Sequence, residues 1–309
     1  MRRLPDAQAL ILTPDNTIDM KKQVFLPAIV LLSIQFSSCS LVQSVAVKST
    51  AGIIDYGMAA IFEESDLQLA ESAIPGNMVL VEALHKADPG NEKLSLQLVQ
   101  GYAGYTLGFV EDRDPERAKI LYERARNYGL DVLRRRFDFN NNFEESPEKF
   151  IAGVNALSED DIPLLFWTAN AWGNLINLNM SDPATVVDLY KVNAMMDFVM
   201  RHDPTFFYGS AHLYFGTILA TTPRVLGGNP AKAKEHFEIA LAIGQRKFLL
   251  PLVYYARSYA VQVQDQELFE LLLREVEDAP IDILPEQRLV NAIAKKKAKL
   301  LLEKKADLF

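Results

Sequence analysis

Apolar residues recur along this chain at helical spacing, with one exception near its start. From Val24 to Phe36 the residues are apolar apart from Ser33 and Gln35, with Met20-Lys21-Lys22 before them and Ser37-Ser38-Cys39 after. A short basic start, an apolar middle of about 7–15 residues and small residues at the end form the pattern of a secretory signal. The run is too short for a membrane-spanning helix, which needs about 20 apolar residues. A leader beginning at Met20 is complete without residues 1–19, which are read as an over-long start or a disordered extension and set aside from the fold. The expected organisation is an extension at 1–19, a leader at 20–38 and a single helical domain at 39–309.

Further along, helix signals repeat and convincing strand alternation is missing. Asp114-Pro115, Ser146-Pro147, Asp182-Pro183 and Asn229-Pro230 each pair a capping side chain with a proline. Such a pair suits the first two positions of a helix: the side chain accepts an orphan N–H, and proline has none to leave unsatisfied. Behind two of them run matching stripes, Ala118, Tyr122 and Ala125 in one and Ala233, Phe237 and Ala240 in the other. The spacing of i, i+4 and i+7 places each set on one helix face. Shifting the chain by 115 residues aligns 88–129 with 203–244 without a gap, and 13 of the 42 positions are identical. An internal repeat of helix pairs predicts an all-α solenoid. The small–aromatic–small stripe resembles the second helix of a tetratricopeptide repeat, and "ADPGN" and "HDPTF" resemble that repeat's closing turn. The connection from Pro89 to Ala118 is about two helical turns longer than that motif's standard. An ordinary helical bundle is the alternative.

Charge and cysteine content then narrow the setting. The whole chain carries a net charge of −8, and residues 39–309 carry −9. An acidic balance argues against nucleic-acid binding, which rests on basic clusters that neutralise phosphates. Cys39 is the one cysteine of the chain, so the expected core does without disulfides. Its context, "FSSC", resembles the bacterial lipoprotein box, with Phe36 where leucine is usual. That resemblance implies alkylation of the thiol by a diacylglyceryl group, cleavage before Cys39 and acylation of the new amino group. Several acyl chains give a stable anchor where one does not. Ser40 in place of aspartate favours the outer membrane, on its periplasmic side.

"SEDDIPLLFWTANAWGNLI" holds both tryptophans, with Ser158 as a capping residue, Asp161 three positions on and Pro163 in the first turn. Trp167 and Trp172 are five positions apart, a net rotation of about 140° on a helix, so they cannot share one narrow face. One is expected in the core and the other against a surface or cavity. "IPLLFWTANAWG", "PRVLGGNPAKAKEHFEIAL", "LVNAIAKKKAKLLLEKKADLF" and "ADPGNEKLSLQLVQGYAGYTLGFVE" together resemble the T component associated with TRAP (tripartite ATP-independent periplasmic) transporters. The similarity runs from about Asp55 to Phe309. It implies an all-helical fold, homotrimers around a central pore or chamber, and docking to a periplasmic solute-binding protein. It also implies transfer of an apolar or organic-acid ligand to or from that protein. A scaffold for envelope assembly that binds no small molecule is the rival expectation.

Catalytic and metal chemistry finds few parts here. His85, His202, His212 and His236 are the four histidines, and none forms an H-x-x-x-H pair of the kind a zinc site uses. "LGGNPAK" lacks phosphate-loop spacing and reads as a turn, its glycines permitting positive φ before the Asn229 cap. No enzyme, cofactor or metal is expected. The lysines at 295–297 and 299 read as a solvated helix face. Candidate ligand-binding residues are Tyr102, Tyr105, Trp167, Asn170, Trp172 and Arg224, the last for its place in a long connection that could present a bidentate carboxylate partner. Replacing Cys39 with alanine is expected to move the protein from the membrane to the soluble fraction on ultracentrifugation. Continued membrane fractionation would contradict the anchor.

Overall fold

The computed structural model describes residues 56–180 and 182–309, all of them helical or in connections between helices, with no strand among them. The leader, Cys39 and the segment 1–19 lie outside the described residues. A short helix α1 (56–62) precedes α2 (Leu67–Ala87), α3 (Glu92–Tyr105), α4 (Pro115–Leu133), α5 (Phe137–Asn142), α6 (Pro147–Asn155) and α7 (Ile162–Leu178). The chain continues through α8 (Pro183–Val186), α9 (Leu189–His202), α10 (Phe206–Thr221), α11 (Pro230–Ile243), α12 (Leu250–Tyr254), α13 (Gln266–Asp278), α14 (Arg288–Glu303) and α15 (Lys305–Leu308). Two π-helical turns, Thr106–Val110 and Tyr255–Ala260, extend α3 and α12.

The predicted starts are built as the capping pattern requires. Asp114, Ser146 and Asn229 accept the N–H groups of Arg117, Lys149 and Lys232, each with proline in the first turn behind them. Ser158 and Asp161 close a capping box ahead of α7. Asp161 also accepts from Arg136 at 3.0 and 2.8 Å, while the same guanidinium donates to both Glu92 oxygens. That arginine ties the starts of α3 and α7 to the turn after α4.

Neighbours in sequence are largely neighbours in space: α2 packs on α3, α3 on α4, α4 on α7, α7 on α9, and α10 on α11. The two repeat segments fall on α3–α4 and α10–α11. Ala118, Tyr122 and Ala125 are fully buried, as are Ala233, Phe237 and Ala240. Close approach explains the small residues: a Cβ on Gly129 would overlap the Thr168 hydroxyl of α7, and one on Gly216 would press on the Phe237 ring. The Phe237 ring stacks on Tyr255 at 4.8 Å, linking the second repeat segment to the C-terminal helices.

The C-terminal helix corrects the expectation of a solvated lysine face. Lys297 is buried and donates to Glu111 at 2.8 Å and Asp112 at 2.7 Å, just beyond the first π turn. Lys296 donates to the Gly108 carbonyl, and Lys295 to the Val276 and Glu277 carbonyls at the end of α13. Lys299 alone of the four is exposed. Burial disfavours the Lys297 ammonium, but Glu111 and Asp112 outweigh it and hold its pKa above the ordinary lysine value. Removing one partner from such a buried pair costs about 3–5 kcal/mol, because it strands the opposite charge. Lys297→Met is therefore expected to lower the urea midpoint strongly, whereas Lys299→Met changes stability by about 0.5 kcal/mol or less. Equal midpoints for the two variants would remove Lys297 from this role.

Candidate functional site

A cavity of about 450 Å³ lies among α1, α2, α3, α7, α10, the second π turn and α14. Its wall is mostly apolar. Met58, Ile61 and Phe62 of α1 meet Ile74, Met78 and Val81 of α2, and Leu289, Val290 and Ile293 of α14 contribute a further patch. α7 supplies Trp167 and a row of asparagines, Asn170, Asn174 and Asn177, whose i, i+4, i+7 spacing puts them on one helical face. α10 adds Phe207, Ser210 and Tyr214. Apolar walls with a few placed polar groups are the usual character of a small-molecule pocket.

Two kinds of irregular backbone frame it. π turns recur at functional sites because an extra residue per turn re-aims side chains. Here the first turn carries Leu107 and the second carries Arg257 and Ser258, and all three line the cavity. At the start of α10, Phe207, Tyr208 and Gly209 have φ of 43°, 58° and 73°. Left-handed backbone costs L-residues about 1–2 kcal/mol each, so packing must hold it. The Phe207 ring lies 4.8 Å from Trp167 and 5.5 Å from Phe248, while Tyr208 stacks on Phe248 at 4.8 Å. The strained turn thereby sets Phe207 against Trp167 in the cavity wall.

Of the residues singled out in the sequence, Tyr105, Trp167 and Asn170 are brought together at this cavity. The other three lie elsewhere. Tyr102 donates its hydroxyl to Glu82 at 2.8 Å and accepts from Arg124 at 3.0 Å, joining α2, α3 and α4. Trp172 faces away from Trp167 and packs on Phe143, with Lys191 and Arg126 over its ring at 5.6 and 5.4 Å. Arg224 begins the exposed 3-10 turn Arg224–Leu226, which ends in the left-handed Gly227. The split between the tryptophans follows from their five-residue separation: one is core, the other cavity wall.

Arg257 is the residue that the sequence reasoning passed over. A signal was present, since Arg257 is the one charged residue in the apolar run from Leu249 to Val261. Its guanidinium sits over the Tyr254 ring, 4.4 Å from the centroid. Among the described residues it forms no salt bridge: Glu111 and Asp112, which influence it, are both engaged by Lys297. Burial pushes the Tyr254 phenol up, against the pull of Arg257. Both side chains keep some accessible surface where they line the cavity. Elsewhere, His212 and His236 face each other across α10 and α11 with Nδ1 atoms 2.9 Å apart. Burial lowers both pKa values, so the pair is neutral near pH 7. No group of three or more metal-ligating side chains occurs among the described residues.

Comparison with known proteins adds two findings. The family model described as TRAP transporter T-component matches residues 63–309. An uncharacterized protein of Treponema pallidum (strain Nichols) is 22% identical over 276 residues, covering 84% of this chain and 85% of that protein.

Proposed function

The chain belongs to the TRAP transporter T-component family, and from that premise we propose that it is a lipid-anchored periplasmic accessory of a TRAP transport system. In this reading Cys39 carries the acyl anchor, with the outer membrane as its place. The helix pairs stack as a tetratricopeptide-like solenoid, and the protein assembles as a homotrimer. It docks a periplasmic solute-binding protein and passes a small apolar or organic-acid ligand to or from it. The protein is a transport component rather than an enzyme.

The observation that carries the ligand part is the cavity of about 450 Å³ whose apolar wall is interrupted by a small polar set. The strained placement of Phe207 supports it, since backbone strain of this kind concentrates at functional sites. For docking, the exposed Val225 and Leu226 beside Arg224 offer an aliphatic pair on a short turn held by internal hydrogen bonds. Exposed apolar side chains on a fixed loop are suited to a protein partner.

Affinity capture with Ser40–Phe309 from an envelope extract, read by mass spectrometry, tests the docking. Recovery of a periplasmic solute-binding protein is expected. Recovery of envelope-assembly factors alone, at a depth that detects weak partners, would replace this reading with that of a scaffold.

A further inference from the structure

Arg257 is the one charged side chain among the described residues that line the cavity. A guanidinium presents five N–H donors in a rigid fork and stays charged at any physiological pH. Taking it out of water is costly unless an anion or an array of acceptors replaces the hydration. Tyr254 compensates in part, through its ring 4.4 Å away and a side-chain hydrogen bond with the guanidinium, but it is neutral. The carboxylates able to help, Glu111 and Asp112, turn to Lys297 at 2.8 and 2.7 Å, and Glu111 also accepts from Tyr122 at 2.6 Å. Arg257 thus lines the cavity without an ionic partner among the described residues, and five donors exceed what Tyr254 alone can accept.

From this arrangement we infer that Arg257 is the anchor for the head group of the cavity's ligand, which is a monocarboxylate with an apolar body. The inference rests on the cavity being a ligand site and adds the chemistry of what it holds. One cation matches one negative charge. A phosphate dianion would leave a charge unmatched, with Glu111 and Asp112 close enough to repel it. The carboxylate's two oxygens fit the fork of donors side by side. Ser258, on the same π turn and also lining the cavity, supplies a neighbouring hydroxyl. Away from Arg257 the wall is mostly aliphatic and aromatic, interrupted by uncharged polar side chains such as the α7 asparagines, so the remainder of the ligand is uncharged and largely apolar. The cavity's volume of about 450 Å³ lies within the range of about 300–1,000 Å³ usual for small-molecule pockets.

Trp167 in the wall gives a fluorescence signal for binding. The probes are dodecanoate and dodecan-1-ol, matched in body and different in charge, titrated against the purified full chain at pH 7.5. The wild type is expected to bind the acid about 10- to 100-fold more tightly than the alcohol, as a lost hydrogen-bonded charge partner implies. Arg257→Gln is expected to abolish that preference by weakening the acid while leaving the alcohol unchanged. Arg257→Lys should keep part of it. Equal binding of the two probes by the wild type would overturn the anchor and leave the apolar site standing, as would a preference that survives Arg257→Gln. Binding of neither probe would overturn the ligand-site reading together with this inference. The wild-type comparison decides the question even if the glutamine variant fails to fold.

Discussion

A buried ammonium joins the end of this fold to its beginning. Lys297 is surrounded by packing and must find anionic partners there, and it finds them in Glu111 and Asp112. Tyr122 donates to the same Glu111, so the turn after the first π turn, α4 and α14 share one charge-assisted cluster. The constraint fixes more than stability. Ile293 and Leu289 lie one and two turns before Lys297 on the same helix, and both form cavity wall. Gly108 permits the approach, because a Cβ there would collide with the Ile293 side chain. Holding α14 against the first π turn is therefore also what places its apolar face in the cavity.

The same cluster shapes the electrostatics of the site. By occupying both carboxylates, Lys297 leaves Arg257 without an ionic partner of its own. The guanidinium then contributes positive potential to an otherwise apolar wall. Another part of the wall is set by strain, with Phe207 carried in left-handed backbone into contact with Trp167. A cation at one part of the wall, an asparagine row on α7 and an aromatic group around Phe207 give the cavity chemically distinct regions. That asymmetry suits an amphipathic occupant better than a uniform hydrocarbon.

Much of the scaffold could be read from local chemistry. Asp114, Ser146 and Asn229 cap helices because short polar side chains followed by proline have few better uses. The buried stripes on α4 and α11 follow from spacing alone. The lysines near the C-terminus depart from the solvated face their sequence suggests, because a run of cations looks solvated until distant carboxylates are brought to it. Glu111 lies 186 positions from Lys297, beyond any periodicity argument. The cavity was half legible. Trp167 and Asn170 share a helix face, but the aromatic type of Tyr102 and the long connection that holds Arg224 do not fix their surroundings, which tertiary packing decides. Arg257 needed only attention to a lone charge in an apolar run. The left-handed turn at Phe207 has no local signal beyond Gly209.

The central claim is that the cavity holds a small molecule, and its most direct test is native mass spectrometry of the chain purified from its own envelope beside Gly104→Phe. Gly104 lines the cavity and a Cβ there meets nothing within 4 Å, so a side chain can start from this position and add bulk at the cavity wall. The account predicts a bound small molecule on the wild type and its loss from a variant that remains folded. A bare wild-type chain, or an adduct that survives unchanged in the folded variant, would contradict it.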